Sequence, residues 1–144
     1  MADAAERTWE SLLRIHAQVL PRLERAVQQG AGIPLAWYDV LLELKRAGGR
    51  LTMSELGARV VLSRTRVSRL VDELAAAGMV AKEANPEDGR STFASLTPQG
   101  VKRFGAAARV YLRAIDGEFA EMDAPVLRRI ADDLEGLRST IDPN

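Results

Sequence analysis

The sequence predicts a mainly α-helical protein with one small β-hairpin. Three observations lead to this fold class. Apolar residues recur at steps of three and four over most of the chain, and two short segments on either side of residues 85–90 are suited to β-strands. Proline, glycine and short polar residues stand where the helical patterns begin and end. The chain has 144 residues, 47% hydrophobic and 28% charged, and this length favours one domain, or one domain with a helical appendage.

Two helices are predicted in the first third of the chain. The first spans about Glu6 to Gln29, and Pro21 predicts a kink or a short break because proline removes a backbone hydrogen bond. The second spans about Pro34 to Arg46 and stops at Gly48-Gly49. The apolar face of the first helix consists of Trp9, Leu12, Leu13, His16, Val19, Leu20, Leu23 and Val27.

Two shorter helices are predicted next, joined by only a few residues. Thr52 and Glu55 have the spacing of a capping box, which begins a helix that extends to about Val60. Ser63 is a suitable N-cap for a helix over Arg64 to Ala77. A connection of this length is typical of a helix-turn-helix. The predicted buried stripe of the second of these helices is Val67, Leu70, Val71 and Leu74.

The pattern then changes to a hairpin followed by two more helices. Residues 79–83 and 91–96 are predicted strands, separated by a long polar loop. Thr97-Pro98 begins a helix that should reach about Met122, and Asp123 caps the last helix. The last helix carries a narrow seam suited to packing on another helix, formed by Leu127, Ile130, Leu134, Leu137 and Ile141.

Charge is unevenly distributed along a chain whose formal net charge is zero. The stretch from Lys45 to Arg103 holds 11 basic and 6 acidic residues, a net charge of +5, and the flanks hold 9 basic and 14 acidic residues, a net charge of −5. A basic centre between acidic ends suggests an anionic partner for the centre. Chance partition of surface charge is the alternative.

The helix after Ser63 has a polar face that suits DNA. At 100° per residue, Thr65, Ser68, Arg69 and Asp72 lie opposite the apolar stripe, with Arg66 at the margin. Arginine pairs bidentately with guanine, and short hydroxyls reach phosphates or base edges, so these residues favour insertion into the major groove. The alternative is an ordinary amphipathic helix with a solvated face.

The predicted hairpin loop carries Asp88-Gly89-Arg90 directly after the helix-turn-helix. In a winged arrangement the loop reaches phosphates or the adjacent minor groove, whose negative potential attracts a guanidinium group. Asp88 is then expected to hold Arg90 in position through a charge-assisted hydrogen bond. A surface turn with an incidental ion pair is the alternative.

Together these segments resemble the MarR family of bacterial transcription regulators. The resemblance covers the order of elements along the chain and is carried by Leu-Ser-Arg-Thr-Arg-Val-Ser-Arg-Leu from Leu62, by Asp-Gly-Arg from Asp88, and by Leu-Thr-Pro-Gln-Gly from Leu96. One departure is Val61, where many such turns carry glycine. The resemblance implies a winged helix-turn-helix over residues 34–97, flanked by dimerisation helices in residues 1–33 and 98–144.

The resemblance also implies a homodimer that binds a pseudo-palindromic DNA operator, acts as a repressor and is released by a small phenolic or anionic effector. The apolar seams of the first and last helices independently argue for a partner chain, because a small winged lobe cannot cover them. The implied DNA contacts are Ser63, Arg64, Thr65, Arg66, Ser68 and Arg69 in the recognition helix, with Asp88 and Arg90 in the wing.

Three residues are candidates for an effector pocket. His16 lies on the apolar stripe of the first helix, and Trp37 and Tyr38 begin the second. An imidazole near aromatic walls can bind a carboxylate or a phenol. The alternative is that His16 is an interface histidine and Trp37 a core residue.

Other functions are less well supported by the residues. The single histidine and the absence of cysteine argue against zinc sites and thiol chemistry, and we expect no metal and no cofactor. An enzyme would need His16 as an acid–base group with Asp39 or Glu43, or a Ser–His–Asp set, but the chain has no nucleophile-elbow, phosphate-loop or dinucleotide motif. A winged helix used only for protein contacts is the remaining alternative. Without a signal-like start or a long apolar run, we expect a cytoplasmic protein.

Overall fold

The computed structural model describes residues 2–61 and 66–143. This part of the chain is mainly helical with a small antiparallel sheet, which confirms the predicted fold class. It divides into two units, residues 1–114 and 115–144. In chain order the elements are α1 (Ala2–Ala31), α2 (Leu35–Arg46), β1 (Arg50–Thr52), α3 (Met53–Arg59), α4 (Val67–Ala76), β2 (Val80–Ala84), β3 (Thr92–Leu96), α5 (Pro98–Glu118) and α6 (Ala124–Ile141).

The predicted hairpin is present and gains a third strand. β3 lies in the centre of the sheet and pairs antiparallel with β2 and with β1. Its middle residue, Ala94, is opposite Lys82 on one side and Leu51 on the other, and is fully buried. β1 was not predicted, because its three residues are too few to show an alternating pattern.

The first unit is built around the apolar faces of α2 and α4. The predicted stripe of α4 is confirmed, because its four apolar residues are the buried ones of that helix. Leu56 of α3 and Val60, which follows it, are also almost fully buried. Burial of this kind provides the main favourable free energy of folding, at about 25 cal/mol per Å² of apolar surface. The buried residues of the two main helices are Val40, Leu41 and Leu44 in α2, and Val67, Leu70, Val71 and Leu74 in α4.

α1 is one continuous helix through Pro21, so the predicted short break does not form. The proline removes a single hydrogen bond, and the turns on either side of it are long enough to continue the helix. Of the eight residues in the predicted apolar face, only Leu23 and Val27 are buried. The side chains of Trp9 and Leu13 are 63% and 48% exposed.

The junction between the sheet and α5 is tightly packed. Thr97 donates a hydrogen bond from its hydroxyl to the Gly78 carbonyl oxygen at 2.6 Å and accepts one from the Gly100 backbone N–H at 3.0 Å. Gly78 has φ +79°, a left-handed conformation that glycine adopts without strain, just past the end of α4. These contacts connect the C-terminal end of α4 to the start of α5.

The second unit holds the end of α5 and all of α6. α5 ends at Glu118, a few residues before the predicted Met122, and the chain turns with a hydrogen bond from the Met122 N–H to the Phe119 carbonyl oxygen. Asp123 occupies the N-cap position of α6, as predicted, but its side chain makes no capping hydrogen bond. None of the residues of α6, all of which the structure describes, is buried. Among the described helices, none is both long and apolar enough to cross a membrane.

Candidate nucleic-acid interface

α4 has a buried apolar face and an exposed basic one. Arg66, Ser68 and Arg69 are exposed, as the sequence predicts for a helix that inserts into a groove of DNA. Arg66 precedes the first helical residue, Val67, with φ −120° and ψ 10°. The other three predicted contacts in this segment, Ser63, Arg64 and Thr65, lie outside the described residues, as does the N-cap predicted at Ser63.

Both acidic residues of α4 are paired with neighbours. The Lys82 ammonium on β2 donates to the Asp72 carboxylate at 2.8 Å. Glu73 accepts from the Arg69 Nε at 3.2 Å and, through its other carboxylate oxygen, from the Trp37 indole N–H at 3.0 Å. These pairs tie α4 to the sheet and to α2, and they partly neutralise the two carboxylates near the basic face. The sequence placed both acids on the later part of the helix, but neither Lys82 nor the role of Trp37 as a donor was predicted.

α3 is fixed at its start by the predicted capping box. The Glu55 N–H donates to the Thr52 hydroxyl at 3.1 Å, and the Thr52 N–H donates to the Glu55 carboxylate at 2.9 Å. The Thr52 N–H is the main cause that lowers the pKa of the Glu55 carboxyl below its usual value. The capping box therefore defines where the first helix of the helix-turn-helix begins.

The loop between β2 and β3 is organised by its own hydrogen bonds. The side-chain oxygen of Asn85 accepts from the Glu87 N–H at 3.0 Å, and the Asp88 carboxylate accepts from the Arg90 N–H at 3.0 Å. The Asn85 N–H closes the loop onto the Ser91 carbonyl oxygen at 3.1 Å. Two successive turns of this kind, each stabilised by an Asn or Asp side chain, give the loop a defined backbone conformation. Asp88 therefore fixes the backbone of Arg90 through this hydrogen bond. Arg90 itself is exposed at the end of the loop.

The three candidate effector residues lie in different surroundings. His16 is exposed on α1, and Trp37 is half-buried and bonded to Glu73. Tyr38 is buried and stacks on Phe104, with ring centroids 5.6 Å apart. Phe104 was not predicted as a neighbour of Tyr38.

Tyr111 completes an aromatic cluster with Tyr38. Their ring centroids are 4.8 Å apart at an interplanar angle of 43°. Burial, followed by the neighbouring Tyr111, raises the pKa of Tyr38, and burial, followed by the charge of Asp39, raises the pKa of Tyr111. The cluster joins α2 to α5 within the first unit.

This architecture is that of a winged helix-turn-helix protein, with α3 and α4 as the helix pair and the hairpin of β2 and β3 as the wing. Residues 31–91 match the sequence model of the MarR family. Sco5413, a MarR family transcriptional regulator from Streptomyces coelicolor, is 30% identical, with a TM-score of 0.80 over 96% of this chain and 95% of that one. The chain belongs to the MarR family and is a MarR-family transcriptional regulator.

Two further relatives are informative. Sco3205, a MarR family regulator from the same organism solved in complex with DNA, is 26% identical, with a TM-score of 0.82 over 96% of this chain and 88% of that one. An uncharacterised helix-turn-helix transcriptional regulator of Bacillus subtilis (strain 168), YdgJ, is 30% identical over 101 residues, or 70% of this chain. That match spans 62% of the length of YdgJ.

Proposed function

We propose that the protein is a sequence-specific regulator that binds double-stranded DNA, with α4 in the major groove and the wing in the minor groove. The observation that carries this proposal is the pairing of two exposed basic elements on one small scaffold. α4 presents Ser68 and Arg69 opposite its buried stripe, Arg66 is exposed just before the helix, and the organised loop presents Arg90. Arginine and short hydroxyls are the side chains that read base edges and phosphates.

The charge distribution of the chain and its structural similarity to a DNA-bound relative support the same proposal. The stretch from Lys45 to Arg103 carries a net charge of +5 within a neutral chain, which favours an anionic partner for this part of the molecule. Sco3205, which has the same fold, has been crystallised with DNA. The predicted recognition set also includes Ser63 and Arg64, which the family resemblance implies, and Thr65, which helical spacing places on the same polar face as Ser68 and Arg69.

We further propose that the protein acts as a homodimer, with residues 1–33 and 98–144 as the dimerisation part and residues 34–97 as the DNA-binding part. Large apolar side chains are exposed along α1 and α6, and α6 as a whole buries no residue among those described. A second chain would remove this surface from water. The exposed side chains concerned are Trp9, Leu13 and Ile15 in α1, and Ile130, Leu134, Leu137 and Ile141 in α6.

A symmetric dimer presents two copies of α4, so we propose a pseudo-palindromic operator with half-sites about one helical turn apart. We propose, from the family resemblance, that binding at such a site blocks transcription and that the protein acts as a repressor. Release by a small phenolic or anionic effector near His16, Trp37 and Tyr38 stays a prediction. It is tested by adding phenol or benzoate to the DNA complex: the prediction requires release from the wild type and none from His16→Ala, with DNA binding intact in both.

The DNA-binding proposal is tested by selection from a random duplex library with the purified wild-type protein. We expect enrichment of an inverted repeat, and binding to it that weakens steeply as salt rises, because phosphate contacts release counterions. Enrichment of no sequence, with only weak binding to all duplexes, would overturn the proposal and favour a winged helix used for protein contacts.

A further inference from the structure

The Glu73 carboxylate lies between the basic face of α4 and the core helix α2. One of its oxygens accepts from the Arg69 Nε at 3.2 Å, and the other accepts from the Trp37 indole N–H at 3.0 Å. We propose that Glu73, anchored by Trp37, is a positioning residue that orients the Arg69 guanidinium for base reading. This inference rests on the proposed DNA-binding function. It assigns part of the sequence specificity of DNA binding to the contact between Glu73 and Arg69.

The anchor is stiff because of where Trp37 lies. It belongs to α2, whose neighbouring residues Tyr38 and Val40 are buried, and its indole N–H contact with Glu73 is itself partly buried. A tryptophan side chain has only two rotatable bonds, and its single donor needs an acceptor when it leaves water. The Trp37 indole N–H therefore fixes the position of the Glu73 carboxylate, and the carboxylate in turn fixes the Arg69 guanidinium.

The contact with Arg69 leaves the useful part of the guanidinium available. Glu73 takes the Nε hydrogen, which lies nearest the backbone, while the Arg69 side chain remains 76% exposed. The two terminal nitrogens form the fork that pairs with the O6 and N7 atoms of guanine. An arginine held at Nε has fewer orientations to lose on binding, and part of its attraction to any nearby phosphate is offset. Glu73 therefore favours base reading over contact with the backbone.

An exposed ion pair between residues four apart on a helix usually contributes little. What distinguishes this pair is the third partner, because the indole N–H fixes the carboxylate from a different element. Asp72, the next residue toward the N-terminus, is a useful contrast. It is paired with Lys82 at 2.8 Å, on the sheet side, and within the described part of the chain it makes no hydrogen bond to Arg69.

The test compares Glu73→Gln with the matched control Asp72→Asn. Glutamine at position 73 keeps an oxygen for the indole N–H but loses the charge that holds Arg69. Both variants remove one negative charge from adjacent positions of α4, so both should bind a scrambled duplex as tightly as the wild type or more tightly. Only Glu73→Gln should lower the preference for the wild-type-selected duplex over the scrambled one, by about fivefold or more, since a bidentate base contact discriminates by that much.

Two further variants test the mechanism. Trp37→Phe keeps the aromatic volume, removes the indole donor and should lower the same preference. In an Arg69→Ala background, Glu73→Gln should have no further effect on preference, because the residue it positions is absent. Thermal melting of each variant without DNA checks that it folds. If Trp37→Phe melts at a lower temperature than the wild type, the duplex preference of Glu73→Gln alone decides the test.

The outcomes separate the two proposals. A wild type that prefers no duplex overturns the DNA-binding function and this inference with it. A wild type that prefers its selected duplex, with the preference of Glu73→Gln unchanged or lowered equally in Asp72→Asn, overturns the positioning role alone. An equal loss of preference from Glu73→Gln with and without Arg69 would also overturn it.

Discussion

Gly100, in the first turn of α5, lies so close to the Met79 carbonyl oxygen that a Cβ atom at this position would overlap it. The neighbouring atom belongs to the backbone and cannot rotate away. Gly100→Ala should therefore force the start of α5 away from the sheet and lower the free energy of unfolding by about 2 kcal/mol, the usual cost of overpacking. Urea unfolding followed by circular dichroism measures this change.

The matched control for that substitution is Gly105→Ala on the same helix. A Cβ at position 105 would meet only the flexible end of Arg109, at 4.0 Å. Alanine there should leave stability unchanged or raise it by up to about 1 kcal/mol, because alanine favours the helix more than glycine does. Similar unfolding midpoints for the two variants would show that the close approach to Met79 costs nothing.

The carboxylate of Asp88 orders the wing through the Arg90 N–H, at 3.0 Å. Asp88→Ala removes that acceptor, so the loop must be ordered when DNA binds, and we expect affinity for the selected duplex to fall roughly fivefold. Asp88→Asn keeps a side-chain oxygen at the same place and removes a negative charge near the DNA, so it should bind as tightly as the wild type or more tightly. Fluorescence anisotropy with a labelled duplex measures both. Equal losses in the two variants would contradict the role of the Asp88 side-chain oxygen in ordering the wing.

Arg90 is predicted to contact the minor groove, where the base edges do not distinguish all four base pairs. Arg90→Ala should weaken binding to the selected and scrambled duplexes alike, and lower the slope of log affinity against log salt by about 1. Arg46→Ala is the control and should bind both duplexes as the wild type does. It removes the same charge from residues 34–97, but Arg46 lies on α2 and is paired with Glu43 at 3.3 Å. A loss confined to the selected duplex would instead make Arg90 a base-reading residue.

Much of the fold follows from local patterns that the sequence displays directly. The stripe of α4, the capping box at Thr52 and Glu55, and the hairpin were all predicted, because each depends on residues close together in the chain. β1 was missed, since three residues become a strand only by pairing with β3. Of the kink or short break expected at Pro21, the break does not form, because local propensity does not account for the turns on either side, which continue the helix.

The candidate site was less accessible to prediction than the fold. The exposed basic face of α4 follows from helical spacing, which a sequence shows. The bond between Glu73 and Trp37 joins residues 36 positions apart, and no spacing rule relates them. The same holds for Phe104 and Tyr111 around Tyr38, which meet only once α2 and α5 are packed.

The aromatic cluster predicts how stability depends on alkaline pH. Burial raises the pKa values of Tyr38 and Tyr111 above the usual 10.0, so the folded state favours the protonated phenols. This contribution is fully present below pH 10.0 and is lost as the pH rises through the raised values. Tyr38→Phe should lower stability less at pH 10.5 than at pH 7. Urea unfolding at both values measures this, and a pH-independent difference would contradict it.

α6 carries the clearest prediction about assembly. Leu134 lies on its apolar seam and is 39% exposed in the single chain. If the seam packs against a second chain, Leu134→Asp places a charge in an apolar interface, which costs several kcal/mol unless the dimer separates. We therefore expect a monomer in sedimentation velocity at about 10 μM, a concentration at which a standard interface keeps the wild type dimeric. Arg128→Asp introduces the same residue on the opposite face of the helix and should remain dimeric. Dimers in both variants would show that the seam of α6 lies outside the interface.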